Sequence, residues 1–213
     1  MIIQLKEIIP TFLEKEKIVN SQVWGHEHNF KQGKKIQIVA ASGSGKTSFM
    51  HFLYGMRKDY DGALFFDNKN INQYDASSKA SMRATQLSIV FQDLRLFNNF
   101  TVQQNIEVKT ALAPYHTTTR INEMAIKLGI CNKLNQLAGT CSYGEQQRIA
   151  IIRALQQPFN FIILDEPFSH LDEDNSKKAM QLIAAEAAER GAGIILADLQ
   201  EIPFFNADST LHL

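Results

Sequence analysis

Residues 42–47 read Ser-Gly-Ser-Gly-Lys-Thr and directly follow the apolar run Ile36–Ala41. Small residues leave backbone N–H groups free to point into one concavity, where they can cradle the oxygens of a phosphate chain. Lys46 adds a point charge for the β- and γ-phosphates, and the Thr47 hydroxyl is placed to ligate Mg²⁺. Residues 47–53 read as a helix whose positive end faces the phosphates. The full pattern is G-x-x-x-x-G-K-[ST], and Ala40 stands at its first glycine. Alanine is small and tolerates a strand-like backbone, so the loop is expected to survive with less room to bend. The plainer alternative is a Gly/Ser turn with an exposed lysine. A strand before, a helix after and Gly-Lys-Thr between them argue against it. Ser42, Gly43, Ser44, Gly45, Lys46, Thr47 and Ser48 are the resulting nucleotide-binding candidates.

A second constellation closes the apolar run Phe161–Leu164 with two carboxylates, Asp165 and Glu166. Open α/β sheets bind ligands at the carboxyl ends of their strands. Asp165 is placed there to hold the water shell of Mg²⁺, and Glu166 to polarise an attacking water as general base. A strand ending in a solvated acidic turn is the alternative, and the upstream phosphate loop weighs against it.

The elements that position these groups can be read from periodicity. Ile2–Leu5, Ile18–Val23, Gly62 onward into a polar turn at Asn70, Leu87–Phe91 and Gly193–Ala197 read as strands. Gly144–Leu155 reads as a helix, as does Asp174–Arg190, where Met180, Ile183, Ala184 and Ala187 share a face and Gly191 stops the run. Residues from about 93 to 140 are rich in Asn, Thr and Gln. Ile121, Met124, Ala125 and Leu128 recur there at helical spacing before Gly129, so the segment reads as a mostly helical insertion. Apolar strands alternating with helices imply an α/β fold with a parallel sheet covered on both faces.

Composition narrows the function classes. The chain has 213 residues, 45% hydrophobic and 21% charged, with 22 basic and 22 acidic side chains. That balance gives no global electrostatic attraction to nucleic acid or membrane. The two cysteines, Cys131 and Cys141, form no C-x-x-C pair, so neither a disulfide framework nor a zinc site is expected and a reducing cytosol is the default. No apolar run approaches the roughly 18 residues that span a bilayer, and the first residues lack the features of a signal peptide. A membrane role therefore requires other chains to supply the membrane part.

Cys141–Leu155 resembles the signature segment of the ABC ATPases, commonly L-S-G-G-Q-Q-Q-R-x-A-x-A-R-A-L. The resemblance covers nearly the whole chain in the right order. Ala40–Thr47 match the Walker A loop, Gln92 the Q-loop, Asp165-Glu166-Pro167 Walker B with its catalytic glutamate, and Ser169–Asp172 the D-loop, usually S-A-L-D. Leu96–Ile106 matches the L-F-x-x-x-T-V-x-x-N-[VI] run after the Q-loop. The resemblance implies one nucleotide-binding domain over residues 1–213, a P-loop NTPase core (1–92 and 141–213) with a mostly parallel sheet, N-terminal antiparallel strands and a helical subdomain (93–140). It implies ATP and Mg²⁺ as cofactors, with Gln92 joining Thr47 and Asp165 at the metal and joining Lys46 and Glu166 in catalysis. Phe12 is the candidate aromatic for stacking on adenine. In this family two ATP molecules lie between two head-to-tail domains, so Ser142, the backbone of Gly144 and Glu145 would act on nucleotide held by the other chain. Arg148 and Arg153, farther along the same helix, are expected to be surface or packing charges.

The implied function is an ATPase subunit of an ABC transporter, cytoplasmic and peripheral on the inner face of the cell membrane. It would pair as a homodimer or with a paralogue, drive separate membrane-spanning subunits, and bind no nucleic acid. Its general shape is similar to subunits of the lipoprotein-release, cell-division and macrolide-export type. Several positions depart from the family pattern. Ala40 and Cys141 are mild changes. Tyr143 and Glu145 replace a glycine and a glutamine of the signature, and a like charge about 4 Å from a phosphate repels by roughly 4 kcal/mol at an effective dielectric near 20. Asp198 stands where the family places a histidine that contacts the γ-phosphate. An ionised carboxylate cannot donate there, so slowed hydrolysis with retained ATP binding is expected. His170, in the D-loop, is expected to pack at an interface. The alternative function is a weakly hydrolysing ATP-dependent switch that moves membrane partners mechanically. Soluble ABC proteins of nucleic acid or ribosomes use long coiled coils or tandem domains, absent here. A P-loop kinase or GTPase leaves Ser142–Leu155 without a role, and no N-K-x-D motif appears.

Overall fold

The computed structural model describes residues 1–213. In chain order the elements are β1 (Ile2–Pro10), α1 (Lys15–Val19), β2 (His28–Lys31), β3 (Lys35–Val39), α2 (Lys46–Leu53), β4 (Tyr60–Phe66), β5 (Lys69–Asn70), α3 (Ala76–Thr85) and β6 (Leu87–Val90). There follow α4 (Val102–Glu107), α5 (Thr118–Lys127), α6 (Tyr143–Ala154), β7 (Phe161–Asp165), α7 (Glu173–Glu189), β8 (Gly193–Asp198) and β9 (Ser209–His212). Strands in the order β2-β1-β4-β5 form an antiparallel sheet, and β6-β7-β8-β3-β9 form a parallel one. The expected α/β class, with a parallel sheet and N-terminal antiparallel strands, is the one observed.

The apolar runs in β7 and β8 are unbroken because both faces of the parallel sheet are covered. Ile162 and Leu164 of β7, with Ile194 and Leu196 of β8, enter a core shared with α6 and α7. Their neighbours Phe161, Ile163, Ile195 and Ala197 enter a second core, built with α2 and the antiparallel sheet. A one-residue slip of either strand would exchange the two sets. This double constraint fixes where the strand ends fall, and so where Asp165 and Asp198 fall.

The insertion has no core of its own. Val102, Ile106, Ile121 and Met124 join the cluster that holds Ile149 and Ile152 of α6. A second tie is ionic. Glu186 of α7 is fully buried, accepts hydrogen bonds from Arg120 (2.7 Å) and Arg190 (2.6 Å), and contacts the His116 ring nitrogen at 2.7 Å. Burial pushes this carboxyl up, but the bonds from His116, Arg190 and Arg120 outweigh it and hold it at about 2.

Ile18–Val23, expected as a strand, is not one. Lys15–Val19 form the short helix α1, and Ser21 turns the chain by accepting the N–H groups of Val23 (3.0 Å) and Trp24 (2.9 Å). The alternating Lys and Glu side chains suit a helix, and the serine turn competes with any strand ladder. Strand β2 has one apolar buried residue, Phe30, and α3 has one, Met82, so neither announces itself by periodicity. Strand β9 is a four-residue edge.

Replacing Glu186 by Ala leaves the facing cations without a counter-charge, and is expected to cost about 3–5 kcal/mol in urea denaturation. The folded carboxyl lies at about 2, below its ordinary 4.5. Its contribution is therefore complete above the ordinary value and is lost as pH falls toward about 2, and the variant should lack that part of the acid-side decline.

Candidate functional site

Strand β8 is the central strand of the parallel sheet, between β3 and β7, and the candidate residues gather at the carboxyl ends of these strands. The Ala40 N–H donates to the Asp198 carbonyl (3.0 Å), and the Glu166 N–H donates to the Ala197 carbonyl (2.9 Å). The phosphate-loop segment and the acidic pair thus hang from adjacent residues of one strand. A cavity of about 410 Å³ opens at this edge, lined by Phe12, Lys17, Ser42, Gly43, Gly45, Lys46, Thr47, Ser48, Gln92 and Glu166, among others.

The loop is shaped from beneath by Trp24. Its indole N–H donates to the Ser44 carbonyl at 3.1 Å, and its ring packs edge-on against Phe49 of α2. Gly45 has φ 95°, and a Cβ there would meet the indole at 3.1 Å, so both backbone and space require glycine. Ser44 differs from the other loop candidates: its hydroxyl donates to the Ala41 carbonyl (2.8 Å) and it does not line the cavity. Phe12 stands half-exposed at the rim with the Arg57 guanidinium 4.7 Å from its ring. Arg57 also donates to the Ser48 hydroxyl (2.7 Å). Trp24, Arg57 and Lys17 belong to this neighbourhood but carry no motif spacing; the single tryptophan of the chain was the available signal.

Charge at the edge is unbalanced. Lys46 and Glu166 form a nearly buried ion pair. Glu166 itself has φ 45°, a left-handed backbone that is costly for a residue with a Cβ. Asp165 is buried, neither of its carboxylate oxygens has a hydrogen-bond partner, and burial pushes its carboxyl up to about 6. Burial also raises Asp198, with the charge of Glu166 adding to the effect, while the Leu199 N–H donates to Asp198 at 2.7 Å. Three carboxylates therefore share the field of one ammonium. The Thr47 hydroxyl donates to the Gln92 side-chain oxygen at 3.1 Å beside them. An orphaned buried carboxylate next to neutral oxygen donors fits a hard divalent cation such as Mg²⁺.

Ser142, Gly144 and Glu145 do not line this cavity. Ser142 and Glu145 form a reciprocal capping box at the start of α6: the Glu145 carboxylate accepts the Ser142 N–H at 2.8 Å, and Lys133 approaches it at 3.5 Å. The feared free charge of Glu145 is thus turned back onto its own helix. Gly144 is required by close packing, since a Cβ there would lie 2.8 Å from the His170 carbonyl. Tyr143 stacks edge-on against the His170 ring, with centroids 4.1 Å apart. It also lines a separate cavity of about 300 Å³ with Thr47, His51, Gln92 and Asp93. Arg148 donates to the Leu128 carbonyl (3.0 Å), and buried Arg153 donates to the Arg95 carbonyl (2.7 Å), so both arginines are packing groups.

A glycine-shaped phosphate loop and an acidic strand end, placed on one parallel sheet, define a P-loop nucleotide-binding protein. Residues 25–169 match the family described as ABC transporter. The lipoprotein-releasing system ATP-binding protein LolD 1 of Chlorobium luteolum is 32% identical over 85% of this chain and 81% of its own length. LolD of Buchnera aphidicola is 32% identical over 72% of this chain and 68% of its own. The dimeric structure of MJ0796, a bacterial ABC transporter cassette, superposes with a TM-score of 0.84 at 24% identity, covering 99% of this chain and 94% of that one. Its post-hydrolysis state with ADP and Pi gives 0.83 at the same identity and coverage. The chain belongs to the ABC transporter family, as an ATP-binding subunit of the ABC ATPase class.

In the metal-free protein the folded carboxyl of Asp165, at about 6, lies above its ordinary 3.8. Its stabilising contribution is present below that ordinary value and is lost as pH rises through about 6. Asp165→Asn should therefore raise the melting temperature of the metal-free protein above pH 7, by on the order of 5 °C, while abolishing any further rise on adding Mg²⁺.

Proposed function

We propose that this chain is the ATP-hydrolysing subunit of a LolD-like ABC complex, dimerising on ATP to drive separate membrane-spanning subunits. The observation that carries the reading is the meeting of Lys46, Thr47, Gln92, Glu166 and the unpartnered Asp165 at one sheet edge. Residues 42–48 wrap the phosphates, with Ser44 acting through its backbone. Phe12, backed by Arg57, offers a face to adenine. Thr47, Gln92 and Asp165 hold Mg²⁺, which neutralises phosphate charge when bound. On nucleotide binding Lys46 exchanges Glu166 for the phosphates, and Glu166 is released to polarise the attacking water. The second chain, identical or a paralogue, contributes Ser142 and the Gly144 N–H, with Glu145 holding that helix end in shape.

The chain acts as a single nucleotide-binding domain, with 1–92 and 141–213 as ATPase core and 93–140 as helical subdomain. No helix is long and apolar enough to cross a membrane. The likeness to LolD supports a place on the cytoplasmic face of the cell membrane, docked on integral subunits. The groove beside the Q-loop, lined by Tyr54, Met56, Phe91 and Arg95, is the docking candidate. Zero net charge speaks against nucleic acid as a partner. Asp198 at the β8 end slows the chemical step, because a carboxylate beside the γ-phosphate repels it and donates nothing. The same residue favours a second reading, an ATP-dependent switch whose dimerisation alone moves the membrane partners.

Mg²⁺-ATP turnover of the purified chain separates these readings. Glu166→Gln should lower turnover at least about 100-fold and accumulate ATP-bound dimer, and Lys46→Ala should remove most nucleotide affinity. Asp198→His should raise turnover about tenfold. Wild-type hydrolysis unaffected by Glu166→Gln would remove the general-base assignment. Turnover indifferent to Asp198→His would remove the slowing role.

A further inference from the structure

One guanidinium reaches both ends of the candidate nucleotide cavity from behind its wall. Phe12 at the rim and Ser48 of α2 line the cavity, and Arg57 does not. The Arg57 guanidinium covers the Phe12 ring at 4.7 Å and lies 5.8 Å from the buried Phe52 ring. It also donates to the Ser48 hydroxyl at 2.7 Å. Asp59 holds it in place, its carboxylate accepting Nε at 2.9 Å and a second guanidinium nitrogen. The Asp59 carbonyl in turn accepts the Thr11 N–H (3.1 Å) and the Thr11 hydroxyl (3.2 Å). Thr11, Phe12, Arg57 and Asp59 therefore close a ring of contacts that restrains both the backbone and the side chain of the rim aromatic. The effect on Ser48 is of another kind. Arginine can only donate, so the Ser48 oxygen must accept, and its own O–H proton has no acceptor within the chain. Ser48 is 8% exposed and lines the cavity, so the cavity is where that proton can be used.

We propose that Arg57 is a positioning residue that couples base recognition to phosphate binding, holding the Phe12 ring for the nucleobase while turning the Ser48 hydroxyl proton toward the phosphates. The proposal rests on the nucleotide-site reading above and adds the residue that unites the two ends of that site. A half-exposed ring at a cavity rim samples several rotamers unless something restrains it, and freezing it on binding costs affinity. The guanidinium restrains the ring before the base arrives. Its plane can lie against an aromatic face, which the point charge of an ammonium does not match. Without Arg57 the Ser48 hydroxyl is free to turn its proton back to the carbonyl of Ser44, four residues earlier, the common local bond of a helical serine. Arg57 itself does not line the cavity, so both effects pass through other side chains.

Calorimetric titration with Mg²⁺-ADP reads binding without turnover. Arg57→Ala should weaken affinity about tenfold, through the two routes together. In a Phe12→Ala chain or a Ser48→Ala chain the same substitution should cost only about threefold, because one route is already gone. In the Phe12→Ala/Ser48→Ala chain it should cost less than about twofold. Arg57→Lys keeps the charge and the stem but not the planar fork. It should melt with the wild type yet lose most of the affinity that Arg57→Ala loses, and it carries the same cycle if Arg57→Ala unfolds. A loss undiminished in both single backgrounds, or full affinity in Arg57→Lys, would reduce Arg57 to a nearby charge or a support of the fold and overturn the proposal. ADP binding indifferent to Arg57→Ala would overturn it as well. Absence of saturable ADP binding by the wild-type chain would overturn the nucleotide-site reading and the proposal with it.

Discussion

The end of β8 is the constraint on which the site depends. Lys46, at the start of α2, and Glu166 follow β3 and β7, strands that are not neighbours. Their separation is set by the strand between them, whose last two carbonyls accept Ala40 and Glu166. Backbone hydrogen bonds in a doubly covered sheet are shielded from water and open rarely, so this spacing is as rigid as the core itself. The glycine loop, by contrast, takes its curvature from an indole below it. Rigidity in the distance between motifs and local support for the loop are thus two separate solutions within one edge.

The electrostatics follow from that rigidity. Strand pairing forces Asp165, Glu166 and Asp198 close together, and the protein supplies one ammonium against them. Burial, with the neighbouring carboxylates adding to it, raises the carboxyl affinities for protons at Asp165 and Asp198, and the Asp165 side chain is left without partners. Such an arrangement is poor for stability and good for capturing a cation together with its anionic ligand, since binding relieves a penalty already present in the folded state. Glu145 illustrates the opposite case. Its charge is met locally by a helix end and a lysine rather than left free.

The parts of this architecture that were legible in sequence are those with long, uniform patterns. The β3, β7 and β8 runs, the α5 and α7 stripes and the Gly-Lys-Thr loop all lie where their residues indicate, because burial on both sheet faces or on one helix face leaves an unmistakable period. Helix α1 reads as the start of a strand in sequence because Ile18, Val19 and Val23 are β-formers. The chain turns there instead, with the Ser21 hydroxyl accepting the N–H groups of Val23 and Trp24. Trp24 and Arg57 carry no sequence pattern for a different reason. Each acts by contact across 20 and 45 positions of chain, with Ser44 and Phe12 respectively, and no spacing rule encodes such a contact.

Helix α6 has a consequence beyond its capped start. Near that start Gln147 grips the backbone after Glu166, and at its far end Arg153 grips the carbonyl of Arg95, in the segment just after Gln92. A helix is stiff over twelve residues, so it behaves as a lever with a grip at each end. Any tilt that admits a neighbour to one end must drag the other. A displacement of the segment at the far grip is therefore felt by the backbone at the near one, with no side chain of the cavity between them.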